Sequence, residues 1–207
     1  MTDFMSVTAN RREVRKCTTR SALLAASERC FARSGYAGTT IADITREAGV
    51  AHGTFYVHFE SRSALLDVSL ARFNEALSFE LGRALSGPGD IADRIHEAAT
   101  IFLARCDERR WLVVALAERA GAGVSAEALR DGVNPQVRAL LRSLLAGMIA
   151  EGVDAELVVS SLLALWLRVA LQVALAEREL ERGVAVETLA RMTIGVLGAV
   201  APEGGRT

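Results

Sequence analysis

The chain has 207 residues, of which 51% are hydrophobic and 24% are charged, and its formal net charge is -1. This composition is ordinary for a soluble globular protein that folds unaided. The three cysteines show no CxxC spacing and no histidine at ligand spacing, so we expect no structural zinc and no cofactor. The absence of a signal-peptide pattern and of an apolar run of ~18 residues predicts a cytoplasmic protein without a membrane partner.

The charge is unevenly distributed along the chain. Between Arg11 and Phe73 there are ten basic and six acidic side chains, an excess of four positive charges. The part after Phe73 has an acidic excess of the same size. The first part of the chain is therefore the part suited to phosphate groups.

Residues 1–17 are polar, carry four basic side chains and show no apolar periodicity. We expect a basic N-terminal arm without regular structure there. Two interpretations stay open: the arm contacts DNA phosphates or a minor groove, or it is a solvated terminus. An apolar stripe from about Thr19 to Ser34 then predicts a helix that Gly35 ends.

A short second helix is predicted from Ile41. Ile41, Ile44 and Ala48 have the i, i+3, i+7 spacing of one helical face. Thr40 is the expected N-cap, with Asp43 three residues later, which is the spacing of a capping box. Gly49 should end this helix in a sharp turn.

A third helix is predicted from about Ala51 to Phe59. Phe55 and Phe59, four residues apart, should face inward. A small, polar outer face propped on another helix is the arrangement that fits the major groove of DNA. The residues on or near that outer side are His52, Gly53, Thr54, Tyr56 and His58.

This stretch resembles the DNA-binding domain of the TetR family of bacterial transcriptional regulators, from about Arg20 to Phe73. The matching positions are Phe31, Gly35, Tyr36, Thr39-Thr40, Gly49-Val50, Gly53-Thr54-Phe55-Tyr56, His58-Phe59, Arg62 and Leu65-Leu66. Ala51 stands where the family commonly has a serine or threonine, which removes a cap. His52 stands where a fixed positive charge is frequent. The DNA-contacting residues that the resemblance and the helix phase imply are Thr40, Ala51, His52, Gly53, Thr54, Tyr56, His58 and Arg62.

The rest of the chain also has helical spacing, so the predicted fold class is all-α. We expect an arm over 1–17, a helix-turn-helix domain over 18–64, an effector-binding and dimerisation domain over 65–201, and a tail over 202–207. A long helix from Arg62 joins the two domains. After a loop at Ser86 to Gly89, the predicted helices are 90–106, 111–120, 125–151 with a break near Asn134-Pro135, 154–181 and 184–200.

The last two predicted helices are apolar on nearly every side, which is hard to bury within one chain of this size. The resemblance implies that they pair with those of a second subunit in a four-helix interface. A twofold homodimer also suits a palindromic operator in double-stranded DNA. The candidate interface residues are Leu167, Leu171, Leu175, Leu189, Met192 and Val196.

Large side chains of the second domain either line an effector cavity or fill a core. Arg168, between Leu167 and Val169, is expected to be buried and to need an acidic partner or an anionic ligand. The resemblance implies a small molecule bound within this domain. The candidate ligand-binding residues are Phe79, Phe102, Trp111, Met148, Trp166 and Arg168.

The predicted function is a repressor that a small apolar or amphipathic effector releases from its operator, with no catalysis. Two alternatives are kept. The first is a DNA-tethered interaction protein of the same fold without an inducer. The second is a small helical enzyme that uses Cys106 and His96 as nucleophile and base.

Overall fold

The computed structural model describes residues 3–120, 135–175 and 181–202, and within these ranges the chain is helical without strands. The predicted all-α class is confirmed. The chain divides into two compact units, 1–69 and 70–207, each of which is described by itself. The helices are α1 Asp3–Gly38, α2 Ile41–Glu47, α3 His52–His58, α4 Arg62–Leu85, α5 Ile91–Glu108, α6 Arg110–Ala120, α7 Pro135–Leu145, α8 Ala155–Leu175 and α9 Arg182–Val200.

Helix α1 begins at Asp3, well before the predicted start at Thr19. The prediction of an arm without regular structure over 1–17 is therefore wrong for the described backbone. Extending a helix that is already formed fixes one residue per hydrogen bond, so a polar segment without an apolar stripe can continue it. Gly35, with φ 72° and ψ 166°, breaks the helical geometry as predicted, because a positive φ is readily available to glycine.

The first unit is built around side chains that α1, α2, α3 and the start of α4 bury together. Phe55 of α3 and Ile44 of α2 are fully buried, as the spacing predicts. The guanidinium of Arg20 lies 4.8 Å from the ring centroid of Phe59. The other large core residues are Leu23, Leu24, Phe31, Leu65 and Leu66.

Three apolar clusters occur among the described residues of the second unit. The largest joins α5, α6, α8 and α9, with Leu103, Leu171 and Leu189 at its centre. A second cluster packs the C-terminal half of α4 on α5. In the third, Leu145 and Leu162 bring the end of α7 onto α8, with partly buried residues of α9 against them.

Most predicted helix boundaries in this unit lie within two residues of the observed ones, but the helix predicted to run to 151 ends at Leu145. Helix α5 begins after Asp90, whose Oδ1 accepts a hydrogen bond from the Asp93 amide at 2.9 Å. The predicted segments 125–134 and 176–180 lie outside the described residues. Helix α7 begins at Pro135, where the missing amide hydrogen costs nothing because the first turn of a helix leaves its amides free.

Helices α8 and α9 leave much apolar surface uncovered in a single chain. By length and composition both are apolar enough to cross a membrane, yet only 33% and 28% of their apolar stretches are buried. Leu157, Leu175, Val184 and Met192 are all exposed. A surface of this kind usually marks an interaction site.

Candidate nucleic-acid interface

The turn before α2 carries the predicted capping box. Thr40 Oγ1 accepts a hydrogen bond from the Asp43 amide at 3.2 Å, and Asp43 Oδ2 accepts one from the Thr40 amide at 3.0 Å. The Thr40 hydroxyl also donates to Asp43 Oδ2 at 2.6 Å. These bonds to Thr40, together with the nearby Arg46, lower the pKa of Asp43. Thr40, a predicted DNA contact, thus has a capping role in the structure.

The turn between α2 and α3 depends on Gly49, which has φ 68°. The Val50 amide donates to the Thr45 carbonyl at 3.0 Å and closes the end of α2. A side chain at Gly49 would meet no atom within 4 Å, so the backbone angle and not the space selects glycine here. The turn sets the angle between α2 and α3.

Helix α3 spans only seven residues and has no side-chain cap at Ala51, as predicted from the missing hydroxyl. Its inward side is held by Phe55 and Phe59, which are buried with their ring centroids 5.8 Å apart. Because a seven-residue helix is marginal alone, these two side chains keep α3 in place on the unit. The predicted inward face is confirmed.

The outward side of α3 carries His52, Gly53, Tyr56 and Val57, all exposed. Tyr56 is 55% exposed, and its ring lies 5.8 Å from that of His52, edge to face. Thr54 is half-buried at the edge of this surface. The structure thus brings Ala51, His52, Gly53 and Tyr56 together on one polar face with Val57 beside them.

Val57 was missed by the sequence analysis, although it is 67% exposed. A valine is usually taken for a core residue. The helical spacing indicates that Val57 is exposed, because it lies four residues after Gly53 and two after the buried Phe55.

His58 is half-buried, at the side of α3 that faces α1, and not on the outer surface. Its Nδ1 is buried and has no hydrogen-bond partner among the described residues. Burial lowers the pKa of His58, and the positive charges of Lys16 and Arg20 lower it further. The structure therefore favours a neutral imidazole at this position.

The Arg62 side chain hydrogen-bonds to backbone carbonyls within the first unit and does not extend freely into solvent. Its Nη1 donates to the Thr39 carbonyl and, at 3.5 Å, to the Ala37 carbonyl. The guanidinium lies 4.2 Å from the ring centroid of Tyr36, a cation-π contact. Arg62 thus fastens the α1–α2 connection to the start of α4, and its contact with DNA stays a prediction.

The six predicted ligand-binding residues are not brought together in one cavity. Phe102 and Trp166 pack against each other with their ring centroids 5.1 Å apart. Trp166 Nε1 donates a hydrogen bond to Thr193 Oγ1 at 2.9 Å. Phe79 is 69% exposed, beside an open groove along α4. Met148 packs in the separate cluster at the end of α7, and Trp111 is half-buried on α6.

Arg168 is exposed, so the prediction of a buried cation is wrong. The apolar neighbours Leu167 and Val169 lie on other sides of α8, about 100° away around the helix. Adjacent residues in sequence therefore gave no information on the burial of Arg168.

The predicted interface residues fall into two groups. Leu171 and Leu189 are buried within a single chain, so their assignment to a subunit interface is wrong. Leu175 and Met192 are exposed, and Leu167 and Val196 are half-buried. The remaining four therefore lie where a second subunit has access to at least part of each side chain.

The pair suggested for an enzyme, Cys106 and His96, is not assembled. Cys106 is buried, and burial raises the pKa of its thiol to about 12, opposite to what a nucleophile needs. His96 Nε2 lies 3.7 Å from a Glu187 carboxylate oxygen on α9. No cluster of three or more metal-ligating side chains occurs in the described ranges.

A capped helix, a glycine turn and a second helix with an exposed polar face define a helix-turn-helix domain of the DNA-binding class. Residues 23–68 match the model for bacterial regulatory proteins of the tetR family. This part of the chain therefore carries the DNA-binding domain of that family.

Several transcriptional regulators match part of the chain. The transcriptional regulator TtgR of Pseudomonas putida is 40% identical over 28% of this chain and 27% of its own length. HbdR of Aromatoleum sp. is 28% identical over 62% of this chain and 58% of its own length. The chain spans 15% to 58% of the length of the curated relatives it matches.

Over most of its length the chain has a fold similar to solved structures. FadR of Bacillus subtilis, a transcriptional regulator solved in complex with stearoyl-CoA, has a TM-score of 0.63 at 16% identity. The match covers 85% of this chain and 98% of that chain. The likeness concerns the fold.

Proposed function

We propose that this protein is a DNA-binding transcriptional regulator that inserts α3 into the major groove. The observation that carries the proposal is the outer face of α3, where His52, Gly53 and Tyr56 are exposed while Phe55 and Phe59 fix the helix from behind. Such a face offers hydrogen-bonding groups and close backbone approach, which base edges and phosphates require. The basic excess of this part of the chain supports phosphate contact.

The regulator acts as a homodimer on a palindromic operator. The uncovered apolar residues of α8 and α9, Leu175 and Met192 among them, support a second copy as the partner. Specific dimers bury about 800 Å² per subunit, and obligate ones bury more and are more apolar. Two recognition helices about 34 to 36 Å apart contact successive major grooves. Such a regulator works in the cytoplasm, where the chromosome lies.

The DNA-binding proposal is tested by selecting duplexes from a random pool with the full chain and measuring affinity against salt. We expect one palindromic sequence and a steep loss of affinity with rising salt, since phosphate contacts release counterions. Tyr56→Phe should weaken all sequences about equally. Thr54→Ala should cost about 1 to 3 kcal/mol at one base position.

The matched control for these variants is Phe79→Ala, because Phe79 is also an exposed aromatic residue but lies in the second unit on α4. It should bind like the wild type. Unselective binding by the wild type, or full affinity in both α3 variants, contradicts the placement of the recognition helix.

The effector proposed is a small apolar or amphipathic molecule that lowers operator affinity, so the protein acts as a repressor. The support is the apolar second unit and the likeness in fold to FadR, whose structure holds stearoyl-CoA. The test adds stearoyl-CoA, or free CoA as the control, to the protein-operator complex. Release by the acylated form alone supports an amphipathic effector.

A second candidate is a DNA-tethered interaction protein without an inducer. The observation that favours it is the scattered placement of the six proposed ligand-binding residues, with Phe102 and Trp166 packed on each other. Operator binding that withstands stearoyl-CoA and a set of small-molecule extracts of the source cells favours this candidate.

A further inference from the structure

The outer face of α3 contains an apolar element that the fold does not require. Val57 is 67% exposed, and Gly53 lies one turn before it on the same face. A Cβ atom built on Gly53 would meet nothing within 4 Å. The φ angle of Gly53 is also not positive.

Neither residue helps α3 to form. Valine and glycine are both weaker helix formers than alanine, and a seven-residue helix has little to spare. Val57 makes no contribution to the buried core of the first unit. A ligand of this face is therefore the better explanation for an exposed valine next to an open backbone position.

The position of Val57 relative to Gly53 defines the shape of this apolar surface. A helical side chain leans toward the N-terminus of its helix, so Val57 lies over the turn that contains Gly53. Because Gly53 has no side chain, the valine methyl groups stay accessible on that side. The exposed ring of Tyr56 is the next residue on the same face. The result is a small apolar surface, called the notch below, where the valine methyl groups stand beside the open space over Gly53.

The major groove has one apolar group that fits such a notch. Each base pair presents donors and acceptors there, and only thymine adds a methyl group, on C5. Phosphates and the other base edges are polar and gain nothing from a valine. We propose that Val57, over the space left by Gly53, contacts the C5-methyl group of one thymine in each operator half-site. This proposal rests on the proposed function and makes Val57 a residue that determines specificity.

The experiment uses the full chain and the duplex that the wild type selects from a random pool. Each thymine is replaced by deoxyuridine, symmetrically in both half-sites, which removes only the methyl group. At one thymine per half-site we expect the wild type to lose about fourfold in affinity for each contact, as burial of one methyl group implies. The Val57→Ala variant should lose nothing further there, because its own contact is already absent.

Two further variants sharpen the result. Gly53→Ala fills the notch, so it should lower affinity for the thymine duplex more than for the deoxyuridine duplex. Val14→Ala is the matched control, since Val14 is also an exposed valine, 58% exposed on α1. It should keep the wild-type penalty at every thymine. Thermal unfolding by circular dichroism checks that all three variants fold.

The outcomes separate this proposal from the proposed function. A wild type that selects a sequence and a Val57→Ala variant that keeps every deoxyuridine penalty overturn the methyl contact alone. The methyl contact is also overturned if the wild type loses no affinity when any of the thymines is replaced by deoxyuridine. A wild type that selects no sequence overturns the proposed function and this proposal with it.

Discussion

Two surfaces of the molecule are left uncovered by the single chain, and their chemistry differs. The face of α3 exposes a histidine, a glycine and a tyrosine around one valine, whereas α8 and α9 expose Leu157, Leu175, Val184 and Met192. Exposing a polar face to water costs little free energy, so such a face suits a partner that binds and dissociates. An apolar face is stabilised by permanent burial. The difference predicts reversible DNA contact at the outer face of α3 and constant subunit contact at α8 and α9.

The largest expected effect concerns the support of the polar face. Phe55→Ala removes a fully buried ring from behind α3 and should destabilise the first unit by about 3 to 5 kcal/mol. Urea unfolding of the full chain measures this. The control is Phe79→Ala, whose ring is 69% exposed and whose loss should change stability by no more than about 0.5 kcal/mol. Equal effects in the two variants would mean that Phe55 does not anchor α3.

The apolar face is tested by Met192→Glu. A carboxylate in a subunit interface must lose water without a partner, at a cost of several kcal/mol, so dimerisation should weaken at least about a hundredfold. Mass by light scattering over a dilution series measures the dissociation. Phe79→Glu is the control, because it places the same charge on an exposed apolar position of α4. A Met192→Glu dimer as stable as the wild type would place the subunit contact on another surface.

The caps of the two short helices give a smaller pair of effects. Thr40→Ala removes the capping box of α2 and should cost about 1 kcal/mol. Ala51→Ser supplies the hydroxyl that α3 lacks and should add about 0.5 to 1 kcal/mol. Thermal unfolding records both, with Asp90→Ala as the comparison for a cap in the second unit. A neutral Thr40→Ala variant would show that the observed bonds do not stabilise α2.

The smallest effect is a dependence of stability on pH through His58. Its folded pKa is lowered, so the unfolded chain takes up the proton first as the pH falls. Stability should be complete above about pH 6.5, the ordinary histidine value, and should be lost as the pH falls through the folded pKa. His58→Gln should flatten this part of the curve. Lys16→Gln should flatten it partly, since it removes one cause of the lowered pKa, and a slope unchanged in both variants would exclude His58 as its source.

Sequence spacing determined the caps, the turn and the buried side of the helix-turn-helix segment in the first unit. The capping residues Thr40 and Asp43, the turn at Gly49 and the inward Phe55 were all predictable because each depends on neighbours within four positions. Helix phase also indicated which side of α3 is exposed. Arg62 was beyond this reasoning, since its bonds run to carbonyls more than twenty positions earlier.

In the second unit, the sequence by itself determined where the helices lie and that their surfaces are apolar. Only the tertiary structure decided which apolar residues are covered: Leu171 and Leu189 are buried within one chain, whereas Leu175 and Met192 are exposed. The exposure of Arg168 was decided in the same way. The physical reason is that an apolar helix has no polar side to fix its rotation, so contacts between residues distant in sequence choose the side that faces the core.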